Sequence, residues 1–115
     1  MGAHQDLLDR LRQPTTELRA ALPEVWAGFE ALHRGAVAEG AVPTAVKEAA
    51  ALAISVVKHC DGCIAHHAKA AARAGATPEE VAEMLGVALL MDGGSGAVYG
   101  ALAWEAFVEA GGVGG

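Results

Sequence analysis

Apolar residues recur every three or four positions along most of the chain, which is the spacing of helices that bury one face. No segment shows the alternation of apolar and polar residues that indicates a half-buried strand. The clearest helix start is Thr77-Pro78-Glu79-Glu80, which matches a capping box with proline in the first turn. The pattern predicts an all-α fold of about six helices, with a Cys-x-x-Cys motif at one helix N-terminus.

Proline and glycine divide these helices. A short amphipathic helix carrying Leu7, Leu8 and Leu11 is predicted to end near Pro14, because proline disfavours a helix interior. The other helices are predicted at about 24–39, 44–58, 63–74, 78–91 and 97–110, separated by breaks that include residues 60–62 and 92–96. The glycine tail, 111–115, is expected to be flexible.

Length and composition narrow the class of protein. The 115 residues predict one domain, 1–115, with its core at about 23–108. A net charge of −6 argues against a nucleic-acid partner, and no apolar run approaches the roughly 20 residues that span a membrane. Without a signal-peptide pattern, a cytoplasmic location is expected. Alanine is abundant and aromatic residues make up 4%, so the helices bury little area per residue. Because burial against further copies would add to the stability of such a domain, a homo-oligomer is expected.

The chemistry concentrates in Cys60-Asp-Gly-Cys63-Ile-Ala-His66-His67, which contains both cysteines. Two thiols at this spacing can form a reversible disulfide, and a helix N-terminus favours the thiolate. His67 follows Cys63 by one helical turn on the same face, whereas His66 points about 100° away. The motif indicates redox or peroxide chemistry. We favour Cys63 as the attacking thiol and Cys60 as the resolving thiol, although spacing alone also allows the reverse.

Glu48 is the expected third member of this site. At ~1.5 Å per residue, Glu48 and His67 lie at similar depths in two antiparallel helices that meet near His59. Glu48 also shares a predicted buried face with Leu52, Ser55 and His59. A carboxylate at this place would orient the imidazole of His67 and support its charged form.

Other interpretations compete with this one. In one alternative the thiols are inert, and His67 and Glu48 are ordinary structural or solvated residues. In another, Cys60, Cys63 and His66 or His67 bind zinc. No second Cys/His cluster accompanies the motif, so we predict neither a metal nor a cofactor, and Ile64 after the second cysteine excludes haem attachment. His59 and His66 are interpreted as solvated or accessory. The aromatic residues Trp26, Phe29, Trp104 and Phe107 are interpreted as packing or interface residues.

Glu48, eleven further residues and then the Cys60–His67 motif resemble the signature of the AhpD-like alkylhydroperoxidase and carboxymuconolactone decarboxylase family. The resemblance extends over about 23–108. It implies trimers or hexamers, with hexamers favoured, and a proton relay of Glu48 and His67. It also implies that Cys63 attacks, that Cys60 resolves, and that a lipoyl- or thioredoxin-type protein is the reductant. The best-known peroxidases of the family carry a histidine where this chain has Gly62.

Three functions are compatible with these residues. The first and favoured one is a thiol-dependent peroxidase that reduces hydroperoxides through a Cys60–Cys63 disulfide. The second is a decarboxylase or related lactone enzyme that uses His67 and Glu48 for acid–base chemistry. The third is a non-enzymatic oligomer that senses redox conditions or exchanges thiols.

Overall fold

The computed structural model describes residues 2–113, and over this range the chain forms helices and no strand. The six helices are α1 Ala3–Ala21, α2 Pro23–Val37, α3 Thr44–Val57, α4 Asp61–Ala74, α5 Pro78–Asp92 and α6 Gly94–Glu109. The predicted all-α fold is therefore confirmed. Residues 111–113 form a turn, and the rest of the predicted glycine tail lies outside the described residues. No described helix is long and apolar enough to cross a bilayer.

The core lies between α3, α4, α5 and α6, and α3 packs against each of the other three. Most of its buried residues are alanines, which let helix backbones approach closely. The largest fully buried side chains are Phe107, Leu52, Ile64, Val56 and Val81. The helices α1 and α2 contribute no residue that is buried as a whole. The core therefore belongs to the last four helices, and the first two lie on its outside.

A tight turn joins α3 to α4 and makes them a helical hairpin. The backbone N–H of His59 donates to Val56 and that of Cys60 donates to Ser55, which is the hydrogen-bond pattern of a Schellman motif. His59 adopts φ 53° at the position where glycine is usual. Cys60 then serves as the N-cap of α4. The turn thus reverses the chain and begins a new helix at the first cysteine.

Several predicted boundaries were wrong. Pro14 lies inside α1, which continues to Ala21. That part of α1 is exposed, so water can solvate the carbonyl that proline leaves without a donor. The helix α2 ends at Val37 rather than Glu39, and α4 begins at Asp61 rather than Cys63.

The predicted break at 92–96 shrinks to a single residue, Gly93, and α6 begins at Gly94. Gly93 adopts φ 67° and ψ −138°, a conformation that is essentially restricted to glycine. Gly96 is buried, and a Cβ there would lie 3.2 Å from the backbone oxygen of Ala88. The glycines of this segment therefore turn the chain and let α6 pack closely on α5.

Replacing Thr77 by alanine should lower the free energy of unfolding by about 1 kcal/mol, because the capping box would be lost. The Thr77 hydroxyl accepts from the Glu80 N–H at 3.1 Å, and Glu80 accepts from the Thr77 N–H at 2.8 Å. Urea denaturation at fixed protein concentration measures the change. In the control Thr16→Ala the lost hydroxyl donates to Arg12 in exposed α1, and the change should stay within ~0.5 kcal/mol. Equal losses in the two variants would contradict this account of α5.

Candidate active site

Cys60 and Cys63 are joined by a disulfide at the N-terminus of α4, and their Cα atoms are 5.2 Å apart. The Cys63 N–H donates to Sγ of Cys60 over 3.2 Å, so the first sulfur caps the helix. The unpaired N–H groups and the dipole at a helix N-terminus favour negative charge. The N-terminus of α4 is therefore a place where the helix stabilises negative charge on a cysteine sulfur.

Glu48 on α3 and His67 on α4 are in direct contact. Nδ1 of His67 donates to Oε1 of Glu48 over 2.7 Å, and the side chain of Glu48 is only 5% exposed. An ionised carboxylate only accepts hydrogen bonds, so the ring hydrogen lies on Nδ1. Nε2 is then the nitrogen that is left to take up a proton. The α3–α4 hairpin thus brings Glu48 and His67 together, as expected from their similar depths in two antiparallel helices.

An open cavity of about 480 Å³ lies between α2 and α4. The residues that line it are Thr15, Trp26, Phe29, Glu30, His33, Arg34, Gly62, Cys63, His66 and His67. Cys63 and His67 thus line the same cavity, whereas Cys60 is not among the lining residues. The second cysteine of the motif is therefore the one that a ligand in this cavity would meet.

His33 on α2 is a residue of this site that the sequence analysis missed. Its ring centroid lies 5.9 Å from that of His66 and 6.3 Å from that of His67, and these two are 4.9 Å apart. Nε2 of His33 is buried and has no hydrogen-bond partner in the described part of the chain. No local pattern links position 33 to position 63, because α2 and α4 meet only through tertiary packing.

Trp26 and Phe29, which were interpreted as packing or interface residues, also line the cavity, with ring centroids 6.1 Å apart. His66 also lines the cavity, although it points about 100° away from the helix face that Cys63 and His67 share. Although part of His66 is exposed, desolvation of its ring lowers its pKa, and the neighbouring His67 adds to this effect. His66 is therefore a neutral imidazole at pH 7.

His59 lies elsewhere. Its ring stacks on Tyr99 with centroids 4.5 Å apart, and its Nε2 is 2.7 Å from Oδ2 of Asp92. The expectation that it shares the buried face of Glu48 was wrong, because His59 follows the last turn of α3 in a left-handed conformation and is exposed. Across residues 2–113 no three His, Cys, Asp or Glu side chains are arranged to hold a metal ion.

Comparison with known proteins points to one family. The model of the carboxymuconolactone decarboxylase family matches residues 23–106. An uncharacterised protein of Cupriavidus necator is 37% identical over 105 residues, which covers 89% of this chain and 93% of that protein. An uncharacterised protein in the cox locus of Paracoccus denitrificans is 39% identical over 67 residues, 58% of this chain and 60% of that protein.

A solved structure agrees with these sequences. It is the crystal structure of the apo form of a carboxymuconolactone decarboxylase family protein from Legionella pneumophila. It superposes with a TM-score of 0.89 at 36% identity and covers 92% of this chain and 95% of its own. The match extends over nearly the whole of both chains.

Acidification should destabilise the fold through His66. Its folded pKa lies below the ordinary 6.5, so the unfolded chain binds the proton first as the pH falls through 6.5. His67, His33 and Lys69 add to this effect, whereas Glu48 opposes it. The melting temperature of His66→Gln should therefore fall less between pH 7 and pH 5, at about physiological salt, than that of the wild type.

The matched control is His4→Gln, which removes a histidine outside the cavity. The fall of its melting temperature over the same pH range should stay close to that of the wild type, because the cavity is unchanged. An undiminished fall in His66→Gln would contradict the assignment of this pH dependence to the cavity.

Proposed function

The chain belongs to the carboxymuconolactone decarboxylase family, and from this premise we propose that it is a thiol-dependent peroxidase that reduces organic hydroperoxides. One observation carries the proposal. The Glu48–His67 hydrogen bond fixes an imidazole at the edge of the same cavity that Cys63 lines. A nucleophile, a base and a residue that orients the base thus occur together beside a second thiol.

In the first step the reduced enzyme oxidises one sulfur. Nε2 of His67 takes the thiol proton of Cys63, and Glu48 stabilises the imidazolium that forms. The thiolate attacks the terminal oxygen of the hydroperoxide, the O–O bond breaks, and Cys63 becomes a sulfenic acid. The alkoxide that leaves takes the proton back and departs as an alcohol.

In the second step Cys60 resolves this intermediate. Its sulfur attacks Sγ of Cys63, the S–O bond breaks, and hydroxide leaves as water with the Cys60 proton. The product is the Cys60–Cys63 disulfide. A dithiol protein of the lipoyl or thioredoxin type then attacks Cys60, forms its own disulfide, and restores both thiols by donating two electrons. We place this cycle in the cytoplasm, where such reductants keep thiols reduced.

A second candidate is supported by the same hydrogen bond. Glu48 and His67 form a base and its orienting residue even without thiols, as a decarboxylase or lactone enzyme would need. A redox sensor would use the disulfide alone. The peroxidase is favoured because Cys63 itself lines the open cavity, where an organic hydroperoxide can reach it.

Replacing Cys63 by serine should abolish peroxide turnover, because serine supplies no thiolate. Cumene hydroperoxide consumption with excess dithiol reductant measures it. In the matched variant Cys60→Ser, one equivalent of peroxide should convert Cys63 to a sulfenic acid that dimedone traps, after which the cycle stops.

Full peroxidase activity in Cys63→Ser would overturn the proposal. Decarboxylase or lactone activity that survives in both serine variants but is lost in His67→Ala would identify the second candidate. Disulfide formation with peroxide but without turnover in the wild type would identify the sensor.

We propose in addition that the chain is a homo-oligomer of three or six copies. Large apolar side chains are exposed on helices far apart in the chain, with Leu32 on α2 68% exposed and Leu90 on α5 80% exposed. The whole of α2 carries no buried residue. An apolar surface of this extent on a small domain favours association with further copies.

Charge at this surface should dissociate the oligomer. Leu32→Glu should lower the mass seen in sedimentation velocity, because a buried carboxylate without a partner is costly. Thr16→Glu adds the same charge to an exposed polar position of α1 and should retain the wild-type mass. A wild type that sediments as a single chain would contradict the proposal.

A further inference from the structure

We propose that His33 is a substrate-binding residue, whose Nε2–H donates to the oxygen of an uncharged hydroperoxide that becomes the alcohol. The proposal rests on the peroxidase function and names its substrate class. Its starting point is Nε2 of His33, a buried ring nitrogen without a partner in the described residues. A buried polar nitrogen without a partner is costly, and with the ring proton assigned to Nε2 an acceptor supplied by a ligand satisfies it.

The place of His33 in the cavity lining relates it to the reacting group of the ligand. His33 lies across the cavity from α4, where its ring neighbours those of His66 and His67. Cys63 lines the same cavity. A peroxide attacked by Sγ of Cys63 through its terminal oxygen therefore has its other oxygen available to a donor on α2.

The remaining lining describes the rest of the substrate. Trp26 and Phe29 offer aromatic surface to an apolar body, and about 480 Å³ accommodates a group the size of a substituted benzene ring. Arg34 and Glu30 line the cavity with opposite charges, so the lining has no single sign of charge that would select an ionic ligand. We therefore assign a bulky, uncharged aryl or alkyl hydroperoxide rather than hydrogen peroxide or a charged one.

The chemistry stays balanced with His33 in this place. The proton that His67 takes from Cys63 ends on the alkoxide, and the alcohol leaves with it. His33 donates a hydrogen bond to that oxygen, and this bond becomes stronger as negative charge develops on the oxygen. His33 keeps its own proton throughout. The cavity therefore binds the product alcohol through the same contact as the substrate.

The test is calorimetric binding of the product alcohol of cumene hydroperoxide, 2-phenyl-2-propanol, to the full-length protein in its disulfide form, which cannot react. The dissociation constant should rise about tenfold in His33→Phe, which keeps a ring but removes the N–H. His33→Gln, which retains an N–H donor, should recover part of the affinity. His4→Gln is the matched control outside the cavity and should bind as the wild type does.

A hydrocarbon ligand separates the hydrogen bond from the packing. Cumene has the same apolar body without the hydroxyl, so His33→Phe should not weaken its binding. In the wild type, the ¹⁵N resonance of Nε2 of His33 should move with the alcohol and much less with cumene. A variant that merely disturbs α2 would weaken both ligands.

The outcomes are distinct. Equal affinity of wild type and His33→Phe for the alcohol, or no binding to the wild type, overturns the assignment of His33. Equal weakening of alcohol and cumene also overturns it. Alcohol binding that depends on His33 in a protein that does not turn over cumene hydroperoxide refutes the peroxidase and leaves the binding site standing.

Discussion

The hydrogen bond between Glu48 and His67 is the interaction on which the site depends. A carboxylate as buried as that of Glu48 is costly unless it is paired, and the α3–α4 hairpin provides the partner. In return the carboxylate fixes the tautomer of His67 and frees Nε2 for chemistry. The same hairpin places the disulfide at the first turn of α4. One reversal of the chain therefore builds the pair and positions both sulfurs.

Short-range rules are sufficient for this part of the molecule, and it could be predicted from the sequence. The spacing of Cys63 and His67, the depth of Glu48 and the capping box at Thr77 each involve one helix or two helices joined by a tight turn. Their geometry follows from the rise and pitch of a helix. The α3–α4 hairpin accordingly contains the predicted contact between Glu48 and His67.

The parts that the sequence could not predict depend on packing between distant segments. His33 belongs to the site because α2 lies across the cavity from α4. No sequence pattern near position 33 predicts this arrangement. Gly96 was predicted to belong to a break, yet it lies inside α6, where a residue without a side chain lets α5 approach closely. Pro14 was expected to stop α1, but the exposed helix tolerates it. In each case the tertiary environment overrides a local preference.

The helix α2 contributes both to the proposed substrate-binding cavity and to the apolar surface of the proposed oligomer. This helix supplies Trp26, Phe29 and His33 to the cavity, and it also carries the exposed Leu32. It contacts α1 and α3, and the ring of His33 neighbours those of His66 and His67 on α4, but it contributes no residue to the core. Little in its own chain therefore holds α2 in place, whereas an apolar contact with another copy would hold it firmly. Because a hydrogen bond from His33 needs its ring at a defined distance from Cys63, association of copies would set how precisely the substrate is held.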